Sequence, residues 1–171
     1  MAWVDAHKRA GAAAWALTQR QHGVITRGQL RELGYSESAI DHRLAKGRLH
    51  RAHPGVYAVG TPDLGLSGKR MAAVLACGPG ALLSHNTAAA LWRIRNCPPS
   101  LLEISVPVPR QPRVSGVRVH RRRRLRACDA TSRERIPVTS PALTLIDLAT
   151  RLEAGPLEAA VNAADKLGLI D

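Results

Sequence analysis

The sequence predicts an α+β protein in which a compact helical segment precedes a stretch of alternating strands and helices. Short helix patterns ending in glycine crowd the first third of the chain, and a strand–turn–strand pattern follows them directly. Strand and helix patterns then alternate to the end of the 171 residues. We therefore predict a winged helix-turn-helix over residues 1–60 and a small mixed α/β domain over residues 66–171, joined by the polar connector Thr61–Gly68.

Three short helices are predicted in the first third. A hydroxyl side chain precedes the second and third helix patterns as an N-cap, and a glycine follows each of the three. In the third helix Ile40 and Leu44 are four residues apart, so they share one face and are expected to pack inward. The predicted helices span Ala12–His22, from Thr26 to Leu33, and from Ser36 to Lys46.

A two-stranded hairpin is predicted directly after the third helix. Arg48–Arg51 and Val56–Val59 have strand character, and the segment His53-Pro54-Gly55 between them is typical of a tight turn. A hairpin in this position is the wing of a winged helix-turn-helix. The helix caps, the glycines and the hairpin agree with one another, and this agreement supports the fold more strongly than any single signal.

The second half of the sequence predicts both strands and helices. The helix Pro141–Arg151 begins with proline, which favours a first helical turn, and Asp147 lies off its apolar stripe of Leu145, Leu148 and Ala149. The other predicted helices are Lys69–Ala76, a helix capped by Ser84, and Leu157–Leu167, and the predicted strands are Ala81–Leu83, Leu102–Val106, Val117–Arg121 and Pro137–Thr139.

The helix-turn-helix pattern predicts binding to double-stranded DNA. In such folds the exposed face of the third helix enters the major groove, and the wing adds cations beside it. Glu37 and Asp41 share this surface and oppose phosphate binding, although a carboxylate can accept a hydrogen bond from cytosine N4. The alternative is a winged helix that contacts only proteins. The candidate DNA contacts are Arg27, Ser36, Ser38, His42, Arg43 and Lys46 from the helices, and Arg48, His50, Arg51 and His53 from the hairpin.

The charge balance indicates a polyanionic partner. Lys and Arg total 25 against 13 Asp and Glu, a formal charge of +12, so nucleic acid is the first candidate and an anionic membrane surface the second. A genome of high GC content also enriches arginine, so charge alone does not decide.

The densest positive stretch, Arg110–Arg126, contains eight arginines and no acidic residue. Three interpretations stay open for it: a solvated loop, an auxiliary surface that contacts phosphate, and a site for an acidic protein. The auxiliary basic surface would comprise Arg118, Arg121, Arg122, Arg123 and Arg124.

Several function classes lack their characteristic residues. Three Trp, two Tyr and no Phe leave few rings on which bases could stack, which argues against single-strand-binding folds. The sequence contains no GxGxxG or GxxxxGK[ST] motif and no histidine spacing typical of zinc sites, and Glu103 lacks the lysine partner of a metal-dependent nuclease. Ser84 and His85 are adjacent, and neighbouring helix positions do not face each other. We therefore predict no catalytic residues, no cofactor and no metal.

The cysteines and the hydropathy pattern predict a cytoplasmic protein. Cys77, Cys97 and Cys128 are widely spaced and form no CxxC pair, so reduced thiols are expected rather than disulfides or a zinc site. No apolar stretch reaches the length of a membrane-spanning helix.

Two groups of motifs carry a resemblance to a known family. The segments HGVITRGQLRELGYSESAI and LAKGRLHRAHPGVYAVG resemble the N-terminal winged-helix domain of AbiEi-family antitoxins from type IV toxin–antitoxin systems. The segments MAAVLACGPGALLSHNTAAALW, LEISV with VRVHRRR, and IPVTSPALTLIDLA are similar to the second half of actinobacterial members. Together they cover nearly the whole chain, and GRLHRAHPGVYAV combined with LLSHNTAAALW is the most specific part.

The resemblance implies a transcriptional autoregulator that binds inverted repeats at its own promoter, with a second domain that counteracts a nucleotidyltransferase-like toxin. Long relatives continue into a very-short-patch-repair-type endonuclease domain. The sequence stops at Gly168–Asp171, about where that domain would begin, so we expect the nuclease either to be absent or to have been cut away.

Two alternatives to an autoregulator stay open: the DNA-targeting portion of a nuclease that lacks its catalytic domain, and a protein-binding antitoxin module. A C2 homodimer is expected because operators are often palindromic, although the sequence shows no interface. The sequence does not identify the operator or the toxin.

Overall fold

The computed structural model describes residues 2–96 and 101–170, with side chains from residue 9 onward, and divides the chain into two compact units. The first unit ends at Ala76 and the second begins at Cys77. The sequence places the connector earlier, at Thr61–Gly68, but the helix that begins at Leu66 falls within the first unit. Its Gly68 lies so close to the backbone of His22 that an added Cβ would be 2.8 Å from that carbonyl oxygen.

The first unit is a winged helix-turn-helix, as the sequence predicts. Its elements in chain order are α1 (Ala2–Arg20), β1 (Val24–Thr26), α2 (Arg27–Glu32), α3 (Glu37–Ala45), β2 (Leu49–His53), β3 (Val56–Val59) and α4 (Leu66–Cys77). Strands β2 and β3 form an antiparallel hairpin, and β1 pairs antiparallel with the other edge of β3. The short helices α2 and α3 make the helix-turn-helix, and the hairpin is the wing.

Side-chain caps fix the starts of α2 and α3. Thr26 Oγ1 accepts from the backbone N–H of Gln29 at 3.1 Å, and Gln29 Oε1 accepts from the backbone N–H of Thr26 at 2.9 Å. Ser36 Oγ accepts from the backbone N–H of Ala39 at 3.2 Å. The predicted N-caps Thr26 and Ser36 are therefore confirmed, and each satisfies a donor that the first helical turn leaves unpaired. Ser84, which was also predicted to cap a helix, precedes α5 but makes no side-chain cap hydrogen bond.

The core of the first unit joins all of its sheet to α2 and α3. Its buried members come from β1, α2, α3, β2 and β3, so each element contributes one side chain to the same cluster. These members are Ile25, Leu30, Ile40, Leu49 and Tyr57.

The second unit is a mixed α/β domain around a five-stranded sheet. Its elements are β4 (Leu82–Leu83), α5 (His85–Trp92), β5 (Leu102–Pro107), β6 (Val117–Arg122), a 3-10 turn (Ala127–Asp129), β7 (Ala130–Arg133), β8 (Ile136–Thr139), α6 (Pro141–Ala149) and α7 (Ala154–Lys166). The strand order is β6-β5-β4-β8-β7, with β5–β6 and β4–β8 parallel and the other two pairs antiparallel. Helix α5 packs against β5 and α6, and α6 packs against α7.

The structure departs from the sequence expectation at three elements: helix α1, strand β7 and the 3-10 turn, which was not predicted. Helix α1 begins at Ala2 rather than Ala12, because alanine-rich sequence has high helix propensity without any apolar periodicity. Strand β7 was not expected, since its sequence ATSR has no alternating apolar residues and it lies at the sheet edge. The α+β class and the order of the remaining elements are confirmed.

Candidate nucleic-acid interface

Helix α3 exposes a polar face, as its periodicity predicts. Ile40 is completely buried, and Leu44 packs against the same apolar cluster. Ser38, Asp41 and His42 lie on the other side and are exposed. Because the apolar stripe faces the core, Ser38 and His42 on the other side of α3 stay open to solvent.

The two carboxylates on this side of α3 are paired with arginine. Arg27, the first residue of α2, donates from Nε to Glu37 Oε2 at 2.6 Å and from Nη2 to Asp41 Oδ1 at 3.3 Å. Arg31 adds a weaker contact, with its Nε 3.4 Å from Glu37 Oε1. The hydrogen bond from Arg27 is the main reason that the pKa of Glu37 is lowered. Of the predicted contacts, Arg27 is thus the one whose guanidinium is engaged with acidic side chains.

The remaining predicted contacts on the helices have contrasting surroundings. The Arg43 guanidinium lies 4.5 Å from the centroid of the Tyr35 ring, and its Nη1 donates to a backbone carbonyl of α3 at 3.0 Å. Ser36 acts as the α3 cap, and its Oγ lies 3.0 Å from that of Ser38. Lys46, by contrast, is exposed immediately after the helix. The structure therefore gives Lys46 greater access to solvent than Arg43.

The wing brings a second set of predicted contacts to the surface. Arg48 and Arg51 are exposed, whereas His50 and His53 are half-buried, and a bulge interrupts the pairing between Arg51 and His53. Gly55 has a φ of +73° in the hairpin turn, a conformation that favours glycine. Burial lowers the pKa of His53, which disfavours its cationic form. The positive charge of the wing therefore comes from its arginines.

The arginines of the auxiliary surface fall into exposed and internally bonded groups. Arg122 donates from Nε to Ser105 Oγ at 2.9 Å and from Nη2 to the carboxylate of Asp147. Arg118 is more exposed, with its Nη1 4.0 Å from Glu103 Oε1. The stretch Arg110–Arg126 is therefore not wholly solvated, because the alternation of side chains along β6 turns Arg118 and Arg122 towards polar residues of β5. The other predicted arginines of the auxiliary surface are exposed and form no such ion pair within the described residues. They are Arg121, Arg123 and Arg124.

A buried polar cluster in the second unit was not predicted from the sequence. The rings of His85 and His120 stack with centroids 3.8 Å apart and planes inclined by 26°. Glu103 accepts from the backbone N–H of Asn86 at 3.0 Å and from Arg151, and its Oε1 lies 3.2 Å from His120 Nε2. The cluster connects β5 and β6 to the helices that cover them.

The signal for this cluster is the period of two in adjacent strands. In β5, Glu103 and Ser105 alternate with apolar residues, and in β6 His120 and Arg122 are two positions apart, with Arg121 between them. Successive side chains of a strand point to opposite faces, so these four share one face. The predicted apolar stripe of α6 is wrong in part, because Leu148 is buried as expected but Ala149 is exposed. Asp147, expected off that stripe, is buried beside Leu148, where it meets Arg122 and His85.

The cluster fits a metal cation poorly. His85, Glu103 and His120 offer ligand atoms that all lie within 4.8 Å of one another. However, both Glu103 oxygens already accept hydrogen bonds, and Arg151 competes for Oε1. Nearly parallel imidazole rings also direct their lone pairs side by side rather than at one point. We therefore interpret the cluster as an ionic core that holds the sheet to α5 and α6.

Burial sets the protonation of the two histidines. It lowers the pKa of His85 to about 4, despite the opposing attraction of Asp147, and it also lowers the pKa of His120. For Glu103 burial alone would raise the pKa, but hydrogen bonds from Arg151 and the Asn86 backbone outweigh it and leave the pKa lowered. At neutral pH the cluster thus combines neutral imidazoles with an ionised carboxylate.

Ser84 and His85 are closer than their adjacent positions predict. Ser84 Oγ lies 3.0 Å from His85 Nδ1, and Asp147 Oδ2 lies 3.5 Å from the same nitrogen. The expectation that these two side chains do not face each other is wrong, because His85, the first residue of α5, has a positive φ of 51°. Nucleophilic catalysis needs the hydroxyl and the acid at different ring nitrogens, so this arrangement does not match a hydrolase triad.

Cys77 is buried and Cys128 is exposed, and both are free thiols, while the predicted thiol Cys97 lies outside the described residues. Burial raises the pKa of Cys77 to about 11. Within residues 2–96 and 101–170, no helix is both long and apolar enough to cross a membrane.

Comparison with known families matches each half of the chain separately. A family described as "Transcriptional regulator, AbiEi antitoxin" matches residues 16–60, which contain the helix-turn-helix and wing. A family described as "AbiEi antitoxin C-terminal domain" matches residues 78–168, which contain the five-stranded sheet. No curated protein gives a significant match.

Proposed function

This chain belongs to the AbiEi antitoxin family, and from that premise we propose that it is a transcriptional autoregulator that binds inverted repeats in its own promoter. In this role it acts on double-stranded DNA in the cytoplasm, as a non-enzymatic regulator. Two copies on one inverted repeat would follow the two-fold symmetry of the DNA.

The observation that carries the proposal is a set of exposed cations that directly follows the polar face of α3 along the chain. Lys46 is exposed at the end of α3, and Arg48 and Arg51 are exposed on the wing. Ser38 and His42 are exposed on α3 itself, the helix whose outer face meets base edges in helix-turn-helix proteins. We propose Lys46, Arg48 and Arg51 as phosphate contacts, and His42 and Ser38 as groups that read sequence. Ser36, Arg43, His50 and His53 would support this surface from partly buried positions or from caps.

The direct test is binding of the full chain to a duplex of its own promoter, measured by fluorescence anisotropy over a range of salt. Lys46→Ala and Arg51→Ala should each weaken binding to all duplexes and lower the slope of log affinity against log salt by about 0.9. Lys166→Ala removes an exposed lysine at the end of α7 in the second unit and serves as the matched control. If the unmodified chain binds duplex no better than single strands, or if affinity does not depend on salt, the proposal fails.

The exposed arginines of the second unit support an auxiliary contact with DNA. Arg121 lies near the end of β6, Arg123 and Arg124 come directly after the strand, and all three are exposed. Their joint replacement by Ala should lower the salt slope on a promoter duplex, by up to about 2.7 if all three contact phosphate. If the same replacement leaves DNA binding intact but abolishes co-purification with a neighbouring gene's product, these residues bind an acidic protein instead.

Membership of an antitoxin family supports a second partner, a cognate nucleotidyltransferase-like toxin. We propose that the second unit carries this antitoxin role. Co-expression of the full chain with the product of the adjacent gene tests it, because an antitoxin should restore growth that the toxin alone arrests. Wing variants such as Arg51→Ala should still restore growth, since they alter only the unit proposed to bind DNA.

A further inference from the structure

Arg27 connects three parts of the first unit that a DNA-binding surface has to hold together. Its guanidinium bonds to Glu37 and Asp41 on α3, and its Nη1 donates to the hydroxyl of Tyr57 in β3 at 3.2 Å. Its backbone N–H donates to the carbonyl of Gly55, at the tip of the wing, at 2.8 Å. One residue thus contacts the recognition helix, the sheet and the hairpin turn.

The charges around Arg27 indicate what its side chain does. Glu37 and Asp41 lie on successive turns of α3 and are both exposed, so unpaired carboxylates would face a phosphate backbone at close range. Like charges across an interface cost affinity. The side chain of Arg27 is 34% exposed and its guanidinium contacts both acids, so its positive charge offsets theirs.

We propose that Arg27 is a positioning residue that neutralises the acidic side of the recognition helix and fastens that helix to the wing, in place of the direct DNA contact predicted from the sequence. This inference rests on the proposed DNA binding. Its consequence is that Glu37 and Asp41 are tolerated on a DNA-binding surface because Arg27 offsets their charge, while Lys46 and the wing arginines attract the phosphates.

Neutralising substitutions at Arg27 and Glu37, made singly at Arg27 and then together, test the inference. Arg27→Gln should weaken binding to the promoter duplex about tenfold, because it leaves Glu37 without its strongest partner. Arg27→Gln combined with Glu37→Gln should return the affinity to within about threefold of the unmodified chain, since only Asp41 then stays unpaired. The salt slope of this double variant should equal that of the unmodified chain.

A matched control separates local neutralisation from a general gain of positive charge. Glu32 is an exposed acid at the opposite end of α2 from Arg27. Arg27→Gln combined with Glu32→Gln has the same net charge as the rescued double variant but should bind as weakly as Arg27→Gln alone.

The contrary outcome is equally specific. If Arg27 contacts phosphate, Glu37→Gln will not restore affinity, and the double variant will keep a salt slope lower by about 0.9. Equal rescue by Glu32→Gln would also overturn the inference. If the unmodified chain does not bind duplex at all, the proposed function fails instead, so the two failures are distinguishable.

Thermal melting of every variant checks that each one folds. Arg27→Lys is a further control, because it keeps the positive charge but loses the guanidinium that reaches both acids. Arg27→Lys should bind between the unmodified chain and Arg27→Gln. If Arg27→Gln proves unfolded, the test is repeated with Arg27→Lys. Rescue of Arg27→Lys by Glu37→Gln, but not by Glu32→Gln, then supports the inference, and absence of that rescue overturns it.

Discussion

The guanidinium of Arg122 donates to the carboxylate of Asp147, and this bond joins the edge strand β6 to helix α6 within the second unit. The side chain of Asp147 is only 5% exposed and that of Arg122 is 21% exposed, so neither charge is fully hydrated. Removing one member of such a pair leaves the other charge buried without compensation.

We therefore expect Arg122→Ala to lower the free energy of unfolding of the second unit by about 3 kcal/mol. Chemical denaturation followed by Trp92 fluorescence measures this, in a background in which the other tryptophans are replaced by Phe. Asp147→Asn should cost less when combined with Arg122→Ala than when introduced alone, since the partner charge is already gone. Strict additivity of the two changes would contradict a direct bond.

Acid should destabilise the second unit through His85. Its pKa is about 4 in the folded chain, below its ordinary value near 6.5, so the unfolded chain binds the proton more readily. The contribution of neutral His85 to the stability of the second unit is fully present above pH 6.5 and is lost as the pH falls from about 6.5 to about 4. Glu103, whose folded pKa is lowered, extends the loss below pH 4.5.

The charged and titratable groups that act on His85 are Asp147, His120, Glu103 and Arg151. Denaturation midpoints between pH 7.5 and pH 4.5 check the expectation, and His85→Gln should flatten the dependence over this range. Replacement of His42, an exposed histidine of the first unit, is the matched control and should leave the dependence unchanged. Equal slopes for the unmodified chain and His85→Gln would contradict this account.

The cap of helix α2 should make a measurable contribution to the first unit. Thr26→Ala removes the oxygen that accepts from the backbone of Gln29, and we expect a loss of about 1 kcal/mol in the free energy of unfolding. Thr26→Ser retains the oxygen and should cost less than Thr26→Ala. Urea denaturation of the two variants provides the comparison, and identical losses would show that the methyl group matters rather than the cap.

His42 should affect the choice of sequence more than the overall affinity. His42 is exposed on α3 and is proposed to meet base edges, whereas Lys46 is exposed after the end of the helix and is proposed to contact phosphate. We expect His42→Ala to change the ranking of duplexes in a competition panel, and Lys46→Ala to weaken all of them alike. A uniform loss for His42→Ala would make it a backbone contact.

The winged helix-turn-helix could be predicted because its signals are local. Thr26 and Ser36 cap the helices that follow them, and the four-residue spacing of Ile40 and Leu44 defines the buried side of α3. Each of these features depends on residues within one helical turn, so sequence spacing was sufficient to place them.

The ion pairs could not be placed in the same way, because they join residues far apart in the chain. Arg27 reaches Glu37 across the turn between two helices, and Arg122 reaches Asp147 across 25 positions. Alternation along β5 and β6 does indicate that Glu103 and His120 share a face. It does not indicate that α6 brings an acid to that face, which is why the polar cluster was missed.

The arginines of β6 have a consequence for the sheet itself, whatever they bind. Strand β6 is an edge strand of the sheet, and the unpaired backbone groups of an edge strand can pair with the edge strand of another sheet. Arg118 and Arg121 give this border a positive charge, so two copies of the chain repel each other where their strands would otherwise align. That repulsion acts over about 8 Å at physiological ionic strength. Concentrated salt therefore removes a barrier that keeps separate molecules from merging into a continuous sheet.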